Sequence, residues 1–290
     1  MTRARMQQTI AAPASVAGFG YWSGDDVRIE FRPAAPYAGI TFVRCDLVPN
    51  VRIPARVEQR IEVPRRTNLQ RGSATVDMVE HVLAALFGLG IDNCEVWTDR
   101  PEMPGCDGSS AEFVRALNSV GLKQQGAVAE LWDVAETIRV AEGDAWIEAR
   151  PATDGQLHVE FQLDYPDQGA IGRQTARVLV TPERFAREIA PCRTFLLQRE
   201  ADQLRRQGLG ARVTNQDLLV FNDHGPVDNA LRFADECARH KALDVIGDLA
   251  LGGRRLAAEI VAHRSGHRLH AELTRQLNEH FDQRSLLASA

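Results

Sequence analysis

The chain has 290 residues, 44% of them hydrophobic and 25% charged, with a net charge of −5. That suits one large globular domain or two of about 100–150 residues, and the negative balance argues against a nucleic-acid-binding surface, which needs clustered Lys and Arg. Cys45, Cys94, Cys106, Cys192 and Cys237 form no CxxC pair and are odd in number, against a disulfide framework or a thiolate zinc site and in keeping with a reducing cytosol.

Arg3 and Arg5 precede an Ala-rich run from Ile10 to Gly18 that loosely imitates a signal peptide. The run is diluted by Ala, Pro and Ser and meets the polar turn Ser23-Gly24-Asp25-Asp26, so it does not read as a secretory core. No stretch approaches the ~20 apolar residues that span a bilayer. A soluble protein with at most peripheral membrane contact is expected. Val27, Ile29 and Phe31 alternate with charged residues as in a half-buried strand, and residues 40–44 and 51–63 continue that style between prolines. From Thr75 to Leu89 the apolar residues recur at helical spacing, and Gly88 and Gly90 end the run. Residues 94–98 read as a strand, and Ser109 or Ser110 as the cap of the next helix. Residues 121–129 (GLKQQGAVA) read as a linker, after which the strand-then-helix order repeats. Strands are expected over 136–140, 145–150, 158–165 and 174–181, a helix opened by Pro182, and helices over 235–251 and 270–281. A glycine follows His81 by seven residues (Gly88) and His240 by seven residues (Gly247), a hint of duplication in which each glycine admits a close neighbour beside its histidine.

The chemistry-bearing residues are few. His240 and Asp244, one helical turn apart, project from one face and can share a cation; the ordinary alternative is a solvated i,i+4 ion pair. Apolar neighbours and a further acid at i+4, Asp248, weaken that alternative. Glu80 and His81 point about 100° apart; beside a hydrolytic metal the Glu would take a proton from water, and otherwise it is a surface Glu beside a packed His. His267 follows a glycine that would let the chain approach a site sharply and has the chemistry of a general acid, but His263, His270 and His280 share its neighbourhood. Thr194, after Cys192-Arg193, could donate to an oxyanion.

Taken together, VEHVLAALFGLGIDN (79–93), PEMPGCDGSSAEFV (101–114), RTF (193–195), LRFADECARHKALDVIGDL (231–249), HRSGH (263–267) and the N-terminal VAGFGYWSG resemble, in order and over nearly the whole chain, the UDP-3-O-acyl-N-acetylglucosamine deacetylase family of lipid A biosynthesis. The resemblance implies a zinc site of His81, His240 and Asp244, which would equally accept iron(II). It implies Glu80 as general base, Thr194 at the oxyanion, a protonated His267 serving the leaving amine, and Asp248 orienting that histidine. Lys241 would contact substrate beside the site and Phe195 the uridine diphosphate end; Asp107 would be structural. The implied fold is α+β: two similar two-layer α/β sandwich domains, residues 1–125 and 126–290, with helices facing each other across the active site. An inserted segment within about Leu196 to Asn222 would form a hydrophobic passage for the acyl chain. The implied enzyme is a cytoplasmic monomer acting on a small acylated UDP-amino sugar. The alternatives are an amidase for another N-acyl amino sugar and a non-catalytic paralogue that binds a nucleotide sugar. Two departures from the family pattern stand out: Tyr21-Trp22 where most members have Leu-His, and GLGARVTNQDLLVF (208–221), which lacks the usual glycine pair and carries Arg212, Thr214 and Gln216.

Overall fold

The structure is a computed structural model and describes residues 5–165 and 170–289, with side chains described to residue 284. Arg3 lies outside the described residues. The architecture is mixed α/β. A five-stranded sheet has the order Ala14–Phe19, Asp26–Pro33, Cys94–Thr98, Ile40–Arg44, Val51–Pro54. Its neighbours run antiparallel, antiparallel, parallel, antiparallel. The second sheet orders Ile138–Glu142, Ala145–Arg150, Arg255–His263, Leu157–Tyr165, Gly172–Leu179 in the same alternation of directions, with Leu131–Asp133 added beside Arg255–His263. Chain order within the two sheets also corresponds once the segments at 57–76 and 182–221 are set aside: four strands, a buried helix, the central strand, then another helix.

The two intervening helices carry the site. Glu80–Gly88 is buried along its whole length, which fits a sequence apolar on every side except at Glu80 and His81. Polar groups in such a place are costly unless partnered, so those two residues need an explanation beyond packing. Glu236–Leu249 is likewise buried except at Arg239 and Lys241. The helices pack on each other at Gly247, where a Cβ would stand 2.1 Å from the Glu80 carbonyl oxygen. Gly88 is equally crowded, but by the Phe185 ring. Both glycines admit a close neighbour as expected, though not equivalent ones.

Several boundaries differ from the sequence reading. Residues 75–79 are not helical: Ala74–Val76 is a strand paired with Asn68–Arg71, and Met78, at φ 59°, turns the chain into the helix at Glu80. The β-branched Thr75 and Val76 prefer the extended state, which apolar spacing alone does not reveal. The expected linker is a strand, Leu122–Val128, antiparallel to Met6–Ile10. The stretch around residues 57–59 is a short helical turn. The last helix starts at His267 rather than at residue 270. Among the described residues no helix is long and apolar enough to cross a membrane.

Candidate active site

His240, Asp244 and Asp248 lie at i, i+4 and i+8 on one face of Glu236–Leu249, and the packing at Gly247 sets His81 opposite them. The Asp244 Oδ1 atom is 3.7 Å from His81 Nε2 and 3.5 Å from His240 Nε2. Tetrahedral donors about 2.1 Å from a zinc ion lie about 3.4 Å apart, so this donor set has the size and chemistry for zinc. Its tautomers fit too: His240 Nδ1–H donates to the Cys192 carbonyl at 3.1 Å, which leaves the Nε2 lone pair directed at the other two donors. Burial pushes the His240 imidazole down to about 4, keeping it neutral. Lys241 donates to the other Asp244 oxygen at 2.6 Å. Burial alone would raise the Asp244 carboxyl, but the Lys241 ammonium beside it holds it well below the usual carboxylate range.

Among the described residues a second cluster, Asp248, His267 and His270, also has metal-ligating chemistry. It is saturated internally. Asp248 Oδ2 accepts from Nδ1 of both histidines at 2.7 Å, and Oδ1 accepts from the Thr67 hydroxyl at 2.6 Å. The remaining His270 nitrogen faces Ser265 Oγ at 2.9 Å. With these partners assigned, the cluster is a charge-holding device rather than an open ligand set. Burial would lower His267, but the Asp248 carboxylate outweighs it and lifts His267 to about 9. Burial lowers His270, which is neutral and accepts from Ser265. The turn delivering His267 is made by Arg264, at φ 50°, and not by Gly266, where a Cβ would meet nothing within 4 Å.

Thr67 joins the two groups, since its backbone N–H donates to Glu80 Oε2 at 3.0 Å while its hydroxyl holds Asp248. Burial pushes the Glu80 carboxyl above its ordinary value, against the opposing charge of His267. Glu80, His81, Thr194, Phe195, His240, Lys241, Asp244 and His267 all line one cavity of about 830 Å³; Asp248 stands behind His267. The Phe195 ring stands edge-on to His240 with centroids 6.4 Å apart. Thr194 is held in its loop by main-chain bonds, donating to the Gly108 carbonyl at 2.7 Å. Behind it Arg193 and Glu236 form a buried pair at 2.8 Å that seats the loop on the start of the helix. Asp107 accepts from Ser109 and, at 2.8 Å, from Arg232. It ties two loops together, outside the cavity wall. Ser110 Oγ, expected as a helix cap, instead donates to the His81 carbonyl at 2.8 Å, while Ser109 Oγ accepts from the Ala111 N–H.

Thr67, Ser265, His270 and the Arg193–Glu236 pair are contributions that the sequence reading missed. Arg193 and Glu236 lie within the RTF and LRFADECARHKALDVIGDL segments that carry the family resemblance, whereas nothing local marks Thr67.

The family model described as UDP-3-O-acyl N-acetylglycosamine deacetylase matches residues 7–279. Curated relatives named UDP-3-O-acyl-N-acetylglucosamine deacetylase are similar over almost the whole chain. The Thermosynechococcus vestitus protein is 40% identical, covering 94% of this chain and 94% of its own. The Anaeromyxobacter sp. (strain Fw109-5) protein is 39% identical over 93% of this chain and 88% of its own. The Trichormus variabilis protein is 37% identical over 93% and 98%.

Proposed function

The chain belongs to the UDP-3-O-acyl N-acetylglycosamine deacetylase family, and from that premise we propose that it hydrolyses the acetamide of a UDP-linked 3-O-acyl-N-acetylglucosamine to the free 2-amine and acetate, a step toward lipid A. What carries the reading is that Glu80 and His267 border the same cavity as the His81, His240 and Asp244 donor atoms. Those three residues would hold zinc, or iron(II) in its place. When bound, the metal supplies a Lewis acid that polarises the carbonyl and acidifies water.

The residues then divide the proton work. Glu80, its proton affinity raised by burial, takes a proton from water as the oxygen attacks the acetamide carbon. Thr194 donates its hydroxyl to the oxygen where charge develops. His267, kept protonated by Asp248, gives a proton to the amine nitrogen as the C–N bond breaks. Lys241 positions Asp244 and reaches substrate, and Phe195 lies toward the uridine diphosphate end. The apolar wall contributed by Leu196, Leu204, Leu209, Val213, Leu218 and Val220 suits an acyl chain. The same reading takes residues 1–125 and 126–290 as two similar sandwich domains facing each other at this site, in a cytoplasmic monomer.

The test is acetate release from the UDP-linked acylated sugar with zinc supplied. Glu80→Ala and His267→Ala should each lose at least ~100-fold in turnover. Elemental analysis should show zinc retained in both variants and lost in His240→Ala. Near-wild-type turnover in both would sink the mechanism, and zinc retention in His240→Ala would sink the ligand set.

A further inference from the structure

The two departures from the family pattern, Tyr21-Trp22 and residues 208–221, meet in space. Tyr21 is 7% exposed, borders the cavity, and lies flat on Gly105, where a Cβ would fall 2.0 Å from its ring. Its hydroxyl donates to the main-chain carbonyl of Asp217, with the Cys106 carbonyl 3.2 Å away. Asp217 is itself fixed, accepting from the Thr214 N–H at 2.7 Å and hydroxyl at 2.8 Å. Beside this anchor Arg212 donates to the Gly24 carbonyl and Asp26, both at 2.7 Å, and its guanidinium lies 4.5 Å from the Phe19 ring centre. The Arg212 pair is exposed and screened, so the partly buried Tyr21 bond is the stronger tie. At the other end Arg65 donates to Glu200 at 2.8 Å, and Glu200 accepts from the Leu197 N–H at 3.1 Å.

Between these ties, Leu204, Leu209, Val213 and Leu218 form the apolar wall of the cavity. A wall pinned at both ends to the N-terminal part of the chain cannot move outward to take a longer chain without breaking the partly buried Tyr21 hydrogen bond. We propose that Tyr21 is a specificity-determining residue: by holding the 208–218 segment against the N-terminal turn it fixes the bore of the passage, and thereby the 3-O-acyl chain length accepted. This rests on the proposed function. Tyr21→Phe keeps the ring on Gly105 and removes only the anchor, so it suits the test better than a truncation that empties the site.

The experiment compares wild type, Tyr21→Phe and Arg212→Gln for kcat/KM on substrates with decanoyl, dodecanoyl and tetradecanoyl chains, and for amide hydrogen exchange over 208–218. One methylene in a fitted apolar pocket is worth roughly 10–200-fold. Wild type should therefore discriminate steeply, and Tyr21→Phe should flatten the best-to-worst ratio by at least ~10-fold while its 208–218 amides exchange faster. Arg212→Gln should change both less. An unchanged ratio in Tyr21→Phe overturns the proposal whether or not exchange accelerates, and so does a wild type that treats the three chains alike. A wild type inactive on all three brings down the proposed function together with this inference, so the two failures read differently.

Discussion

Asp248 accepts three hydrogen bonds on two oxygens while it is fully buried, and that arrangement makes His267 a strong base in the folded state. The folded value of about 9 lies above the ~6.5 of an unfolded histidine. A raised pKa gives stability that is complete below the unfolded value and disappears as pH climbs through the folded one. The loss should therefore fall between about pH 6.5 and 9 and amount to ~3 kcal/mol. Urea unfolding across that range should show the decline in wild type and not in His267→Gln, and parallel declines in both would remove the assignment. The spacing of His240, Asp244 and Asp248 was legible because a helix turns regular spacing into a shared face. The part of Thr67 was not, because it acts through a backbone N–H as much as through its side chain. Nor could composition alone separate His267 from His270, which only the family resemblance did, since both bond the same carboxylate oxygen and differ only in whether the second nitrogen meets Ser265 or the cavity.

Among the elements, the site depends on how closely two buried helices approach. Gly247 is the contact that permits it, and the obstacle to a Cβ there is the main chain of Glu80, which cannot swing away as a side chain can. Gly247→Ala should cost about 2–3 kcal/mol, the upper part of the range for overpacking, and should also lower zinc retention, because separating the helices carries His81 away from His240 and Asp244. Gly266→Ala, with open space around the added methyl, should stay within about 0.5 kcal/mol. Urea midpoints and zinc content measured on both would decide the matter; equal behaviour would mean that the helix approach is slack. The glycine spacing in the sequence pointed to both close contacts but not to their partners. Periodicity located both helices, yet it ran the first one back through Thr75 to Met78 and missed the strand Leu122–Val128, whose partner Met6–Ile10 is more than a hundred residues distant. Strand pairing over such distances leaves no local trace.

Across the whole molecule the helix ends away from the site are tied reciprocally. Arg255, from the second sheet, donates to the Phe87 carbonyl at the end of Glu80–Gly88 at 2.6 Å and to Asp92 at 3.0 Å. Arg56, which follows the first sheet's last strand, donates to the Gly252 carbonyl just beyond Glu236–Leu249 at 3.1 Å. Cations suit carbonyl-rich helix ends. Arg255→Met should cost about 3 kcal/mol by leaving buried acceptors short of a donor. Arg56→Met should cost less, since one carbonyl is at stake. Thermal unfolding of the two variants would test that order. The repeated strand order was foreshadowed by the strand-then-helix order that recurs after residue 129 and by two histidine–glycine spacings, a faint trace because one topology can be written in different residues.

That repetition has a chemical consequence. An assembly of identical chains about a two-fold axis must offer the same side chains on both sides of its cleft. A repeat written twice in one chain escapes that rule. Here the helix between the first sheet's strands supplies Glu80, shifted toward holding a proton, and the helix after the second sheet's central strand supplies His267, whose proton is held by Asp248. A proton acceptor and a proton donor thus border one cavity from different parts of the chain, and the proposed hydrolysis, which withdraws a proton at one atom and delivers one at another, acquires a direction.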